Sequence, residues 1–206
     1  NEMVSLIRGL FNNVLKTNES LQFAVLTGCL RISKESIFTG LNNLNILSVT
    51  DVQYEEYFGF TDREVQEMLG YYHISDAYGA VKAWYDGYRF GNAEVYCPWD
   101  VICYCSKRVD NPNLFPQNYW SNTSSNEIIR RFIRMTGNGL TKSEVEALVA
   151  GETLVKEIRE DLTYNSLYDS IDHLWSLLLA TGYLTQRGTL DGRSYYLAIP
   201  NMEIRS

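Results

Sequence analysis

Apolar residues recur at helical spacing from the start of the chain. Met3, Val4, Leu6, Ile7, Leu10, Phe11, Val14 and Leu15 form a wide stripe, which predicts an amphipathic helix with a face that needs cover. The pattern then shortens. Gln22-Phe23-Ala24-Val25-Leu26-Thr27 is a compact apolar run that stops at Gly28, and such a run after a helix predicts a buried strand of a parallel sheet. A short helix and a short strand complete a first region, residues 1 to 50.

A second region, residues 51 to 118, reads as mostly helical. Thr61-Asp62-Arg63-Glu64 is a capping box, in which hydroxyl and carboxylate each satisfy a free amide at a helix start. Ser75 or Asp76 is expected to cap a second helix that carries Tyr78, Val81 and Trp84 and ends at Asp86-Gly87. Tyr88-Arg89-Phe90, Gly91-Asn92 and Glu94-Val95-Tyr96 predict a tight hairpin. Pro98 suits the first position of a further helix, because the amide it lacks has no partner there anyway.

The third region, residues 119 to 206, alternates caps and apolar runs. Ser124 with Glu127 and Thr141 with Glu144 have the spacing of two more capping boxes. Ile171, Leu174, Trp175, Leu178 and Leu179 predict a strongly apolar helix that Gly182 ends, glycine being the residue that adopts the left-handed conformation there without strain. Tyr183-Leu184-Thr185, Asp191-Gly192 and Tyr195 to Ile199 predict a hairpin with a type I′ turn. Helices followed by a two-stranded hairpin suggest a winged helix. The expected fold class is therefore α+β, mainly α with small β elements: the end of a P-loop-type α/β core (1–50), a helical lid with a hairpin (51–118) and a winged-helix-like extension (119–206).

Composition narrows the function classes. The 206 residues are 45% apolar and 13% aromatic, with a net charge of -7, which supports a folded core and argues against a surface that tracks phosphates. A basic patch at Arg130, Arg131 and Arg134 is the exception. No apolar run approaches the ~20 residues that cross a bilayer, and there is no signal-peptide pattern at the start; a cytoplasmic location is the expectation. The amphipathic pattern is already under way at Asn1, and the chain stops at Asn201-Met202-Glu203-Ile204-Arg205 with no ordinary cap or polar tail. A piece of a longer protein is expected.

Chemistry-bearing motifs are sparse. Cys97, Cys103 and Cys105 have the spacing Cys-x5-Cys-x-Cys with no matched second pair, and they and Cys29 read as reduced thiols rather than zinc ligands. The chain contains no G-x-x-x-x-G-K-[ST], G-x-G-x-x-G, H-E-x-x-H or G-x-S-x-G. Thr27 and Arg31 stand at the end of the expected strand, where ligands of open α/β sheets bind. They are candidates for sensing a phosphate. The alternative is a turn cap for Thr27 and a surface ion pair for Arg31.

Several stretches together carry a resemblance. VLTGCLRISKESIFTGLNNL, from Val25 to Leu44, is followed by Tyr57-Phe58-Gly59-Phe60-Thr61 with Glu64-Val65, then by Trp84-Tyr85-Asp86-Gly87-Tyr88-Arg89-Phe90-Gly91. Tyr96-Cys97-Pro98-Trp99-Asp100, Tyr119-Trp120-Ser121-Asn122-Thr123-Ser124 and Gly182-Tyr183-Leu184 complete the set. In this order they resemble the AAA-ATPase-like family of gut anaerobes and related bacteria, often joined to a PD-(D/E)XK nuclease domain.

The resemblance implies that the phosphate-binding loop and the Mg²⁺-holding acidic strand belong to an N-terminal part outside these residues. ATP and Mg²⁺ are thus implied only for the full-length protein. Its own P-loop part and a C-terminal effector domain are the implied partners, beside a protein partner. No Pro-Asp followed by Glu-x-Lys is present, so no nuclease centre is expected, and no catalytic residue is assigned. Thr27 would stand at the sensor position and Arg31 would be the next candidate. Two functions remain in view: the lid and sensor of an ATP-driven switch, or an interaction module that docks protein or DNA through the winged-helix-like end.

Overall fold

Helix α1, Glu2–Leu15, forms where the apolar stripe predicted it. The structure is a computed structural model that describes residues 2–16, 18–28, 41, 44–120, 139–160 and 170–206. Met3, Leu6, Leu10 and Val14 of α1 are exposed, and none of its residues is buried. The expected buried strand is not formed: residues 21–28 carry no regular structure, and Phe23, Val25 and Leu26 are exposed. A parallel strand exists only through hydrogen-bonded neighbours, and among the described residues no strand lies alongside this run.

Helix α2, Asp62–Tyr71, begins as its capping box requires. Thr61 is extended, its hydroxyl accepts from Glu64 N, and Glu64 reaches back to Thr61 N at 2.8 Å. The helix buries Val65 and Leu69. A 3-10 turn, Ser75–Ala77, then intervenes, so that α3 (Tyr78–Tyr85) starts later than expected and neither Ser75 nor Asp76 caps it. Asp76 instead pairs with Arg108 at 2.7 Å.

Strands β1 (Tyr88–Phe90) and β2 (Ala93–Val95) make the predicted hairpin around Gly91-Asn92. Helix α4, Pro98–Asp110, has proline in its first turn. Val65, Leu69, Val81, Tyr85, Tyr96, Val101 and Tyr104 form one core beneath α2, α3 and α4. Burial of each such side chain contributes about 1.5 to 3 kcal/mol.

Helix α5, Gly139–Ala150, starts ahead of Thr141. Thr141 is therefore inside the helix rather than at its cap. The Ser124 and Glu127 box and the basic patch at Arg130, Arg131 and Arg134 lie outside the described residues. Strand β3, Leu154–Glu157, was not foreseen; it pairs with β5 (Ser194–Ala198), which also pairs with β4 (Thr185–Thr189) in an antiparallel sheet of order β3-β5-β4. The connection from β4 to β5 runs from Leu190 to Arg193, longer than the expected two-residue turn. Asp191 Oδ1 closes it by accepting from Arg193 N and Ser194 N.

Helix α6, Ile171–Ala180, is capped by Ser170, whose hydroxyl accepts from His173 N, and is followed by Gly182 at φ +83°. Leu174, Leu177, Leu178 and Leu197 lie in the second core, against which Val49 packs. A short helix α7, Met202–Arg205, capped by Asn201, returns to pack on α3. The fold is α+β. Among the described residues no helix is long and apolar enough to cross a membrane.

Candidate functional site

The two cores meet at the β1–β2 hairpin, and polar groups join them. Arg89 N donates to Thr185 Oγ1 at 2.8 Å, Tyr88 OH to Gly182 O at 3.1 Å, and Gln186 Nε2 to Gly91 O at 2.5 Å. Gly91 N donates to Val49 O at 3.0 Å, and Asn92 N to the Glu55 carboxylate at 2.7 Å. Thr185 and Gln186 are each only 2% exposed. A buried amide or carbonyl left without such a partner costs about 1 to 3 kcal/mol, so these bonds fix how the hairpin sits on β4.

Two glycines allow the close approach. Gly87 has φ +120°, and a Cβ on it would meet Pro200 O; a Cβ on Gly59 would meet the Val95 side chain. Phe60 and Tyr96 exchange backbone hydrogen bonds at 2.8 and 3.1 Å. A cavity of about 210 Å³ remains at this junction, between Phe58, Tyr88, Arg89, Cys97, Trp120 and Thr185. The Cys97 thiol is pushed up to about 12 by burial, with the Asp100 charge adding to it. It stays protonated near neutral pH and is not an activated nucleophile.

On the outer side, Asp62 gathers four donors: Tyr96 OH at 2.6 Å, Tyr78 OH at 2.9 Å, Gln66 Nε2 at 2.6 Å and Lys82 Nζ at 3.1 Å. The Tyr96 hydroxyl above all, then Lys82, holds this carboxyl well below the usual range. On the inner side, Glu203 Oε1 accepts from Tyr119 N at 2.5 Å and Trp120 N at 2.7 Å. Asp100 is 1% and Glu203 2% exposed. Burial first, then the Glu203 carboxylate, push Asp100 up to about 7.

Thr27 is exposed on the irregular segment 21–28, and Arg31 lies outside the described residues. What the structure does gather are most of the stretches that carried the resemblance: Tyr57 to Thr61, Trp84 to Gly91, Tyr96 to Asp100, Tyr119-Trp120 and Gly182 to Leu184 all border the hairpin or its cavity. Asp62, Asp100, Thr185, Gln186 and Glu203 were missed by sequence reasoning. Asp62 and Asp100 did carry a signal, a carboxylate in the first turn of a helix whose start is marked, by the Thr61 cap in one case and by Pro98 in the other; the other three carried none.

Comparison with known proteins gives one relative. The chain is 26% identical, over 208 residues that take in 97% of it, to the "Uncharacterized protein in vnfD 5'region" of Azotobacter chroococcum mcd 1. It spans about a third of that protein's length, 36%. No family model matches the chain, and no solved structure matches it. Among the described residues there is no group of three or more His, Cys, Asp or Glu side chains arranged to hold a metal ion.

Proposed function

We propose that this chain is the lid-and-sensor portion of an AAA-ATPase-like protein, an ATP-dependent switch whose nucleotide site lies in the rest of a longer chain. Its part is to relay the nucleotide state to a fused or partner effector such as a nuclease domain. The observation that carries this reading is the hairpin junction. Stretches resembling the family's motifs, scattered from Tyr57 to Gly182, converge on one small hairpin whose buried hydrogen bonds join both cores. A joint of this kind moves as a unit, since each buried bond resists local slippage.

The rest of the assignment follows from the same resemblance. Helices α2 to α4 with the hairpin are the lid; α5, β3, α6 and the β4–β5 hairpin are the winged-helix-like extension. Residues 1–50 are the end of the P-loop core, to which the exposed apolar side of α1 and the Phe23 to Leu26 run are left to pack. Thr27, exposed, is the candidate for touching the terminal phosphate, with Arg31 the next. ATP and Mg²⁺ belong to the P-loop part; this chain's residues sense and transmit.

The test compares ATP binding and turnover by this chain and by the natural protein extended N-terminally. Only the longer protein is expected to bind and hydrolyse ATP, and Thr27→Ala in it should slow hydrolysis more than binding. ATP binding by the 206-residue chain alone would overturn the assignment. Failure of both to bind would turn the reading to its rival, an interaction module, for which the exposed apolar side of α1 is the favouring observation.

A further inference from the structure

The cavity at the hairpin junction has no part in sensing a nucleotide, and its size says what it can hold. Its volume is about 210 Å³. That exceeds the roughly 150 Å³ that suffices for a benzene ring and falls short of the ~300 Å³ at which drug-sized ligands begin to fit. One ring with a small substituent is admitted and a nucleotide is not. Tyr88, Phe90, Tyr96 and Trp120 supply aromatic walls, and Phe58, which borders the cavity and is exposed, marks its mouth.

The polar side chains of the wall divide into committed and uncommitted groups. Tyr88 OH donates to Gly182 O, Tyr96 OH to the Asp62 carboxylate and Thr181 Oγ1 to Leu177 O. The Cys97 thiol, pushed up by burial, carries no charge near neutral pH. Thr185 Oγ1 accepts from Arg89 N, and its own proton has no acceptor among the described residues. The Arg89 guanidinium has a buried Nε without an acceptor, and its Nη2 meets the Asn92 amide oxygen only at 3.5 Å. Glu94, opposite Arg89 in the hairpin, pairs instead with Arg187 at 3.7 Å. Both uncommitted groups are donors, and one is a permanent cation.

We propose that the junction cavity binds a small one-ring aromatic carboxylate, with the ring against the aromatic walls and the carboxylate held by Arg89 and Thr185. A carboxylate is an anion that only accepts hydrogen bonds, which is the complement of such a pair, and its bonds to a guanidinium are among the strong ones. It would also give the buried Nε the acceptor it lacks, relieving the cost of a donor held out of water. The walls come from both cores: Tyr96 belongs to the first, Leu179 and Leu184 to the second. An occupant therefore bridges the two cores and tightens the joint between them. This site answers to a signal separate from ATP, and it stands or falls independently of the nucleotide assignment.

Benzoate is the probe, read by two-dimensional NMR titration of the 206-residue protein. Saturable shifts are expected at the amides of Tyr88, Arg89, Leu184 and Thr185. Toluene, a ring without charge, and acetate, a charge without a ring, should each bind at least about tenfold more weakly, the size expected for losing a charge-assisted bond or the burial of a ring. Arg89→Met should weaken benzoate about tenfold and leave toluene within about twofold, a split that general damage to the fold would not give.

No saturable shift at these amides, acetate or toluene binding as well as benzoate, or an equal effect of Arg89→Met on benzoate and toluene would each overturn the site. Should Arg89→Met fail to fold, nuclear Overhauser contacts in the natural protein decide the matter. Contacts from the benzoate ring protons to the Leu184 and Trp120 side chains are expected, and their absence at saturation refutes the proposal.

Discussion

Asp62 illustrates how one side chain can organise a surface. It heads α2 as part of the cap sequence, and it also ties that helix to Tyr78 and Lys82 on α3 and to Tyr96 beyond β2. Because its folded value is depressed, the stability it supplies is complete above the unfolded value near 4 and is lost as pH falls below that. Tyr96→Phe removes the shortest of these bonds. It should cost about 1 kcal/mol near neutral pH, the low end for a bond to a charged group since Asp62 is partly solvated. The loss should shrink on acidification, which urea titrations near pH 7 and pH 3 would register. Lys82→Met, by contrast, should cost less, about 0.5 kcal/mol, because that ion pair is about half exposed.

At the scale of elements, the hairpin and α1 make opposite predictions. Gly87→Ala forces a side chain into a left-handed backbone and against Pro200 O; a loss of about 2 kcal/mol or more is expected in chemical denaturation. Leu6→Lys and Leu10→Glu on α1 should each change stability by less than about 0.5 kcal/mol in this chain, because both side chains are already exposed. Legibility in the sequence divides along the same line of locality. The Thr61 box, Pro98 at a helix start, the Gly91-Asn92 turn and Gly182 could be read because each is decided by residues within a few positions. Tyr96 with Asp62, 34 residues apart, and Glu203 with Tyr119, 84 apart, could not. Gln22 to Thr27 misled for the complementary reason: an apolar run becomes a strand only if a neighbour hydrogen-bonds to it, and the run itself does not encode that neighbour. Strand β3 was invisible because Leu-Val-Lys-Glu is too short to show alternation.

For the molecule as a whole, two cores joined by a hairpin raise the question of how far they unfold together. Thr185 and Gln186 supply the buried bonds that hold β4 to the hairpin, so removing both should uncouple the cores rather than merely weaken one. Thr185→Val with Gln186→Leu is expected to turn a single calorimetric transition into two, with calorimetric enthalpy exceeding the van't Hoff value. Leu174→Ala, a cavity at the centre of the second core, should instead cost about 2 to 5 kcal/mol and keep the coupling. Trp120 and Tyr183 stand edge to face with ring centroids 4.8 Å apart, one following α4 in the chain and the other lying between α6 and β4. At that separation light absorbed by the phenol passes to the indole, so the protein carries its own optical ruler. In a variant that keeps Trp120 as its sole tryptophan, the share of tyrosine-excited emission lost on Tyr183→Phe is the part this pair carries, and its disappearance would report, without any added dye, the parting of these two segments.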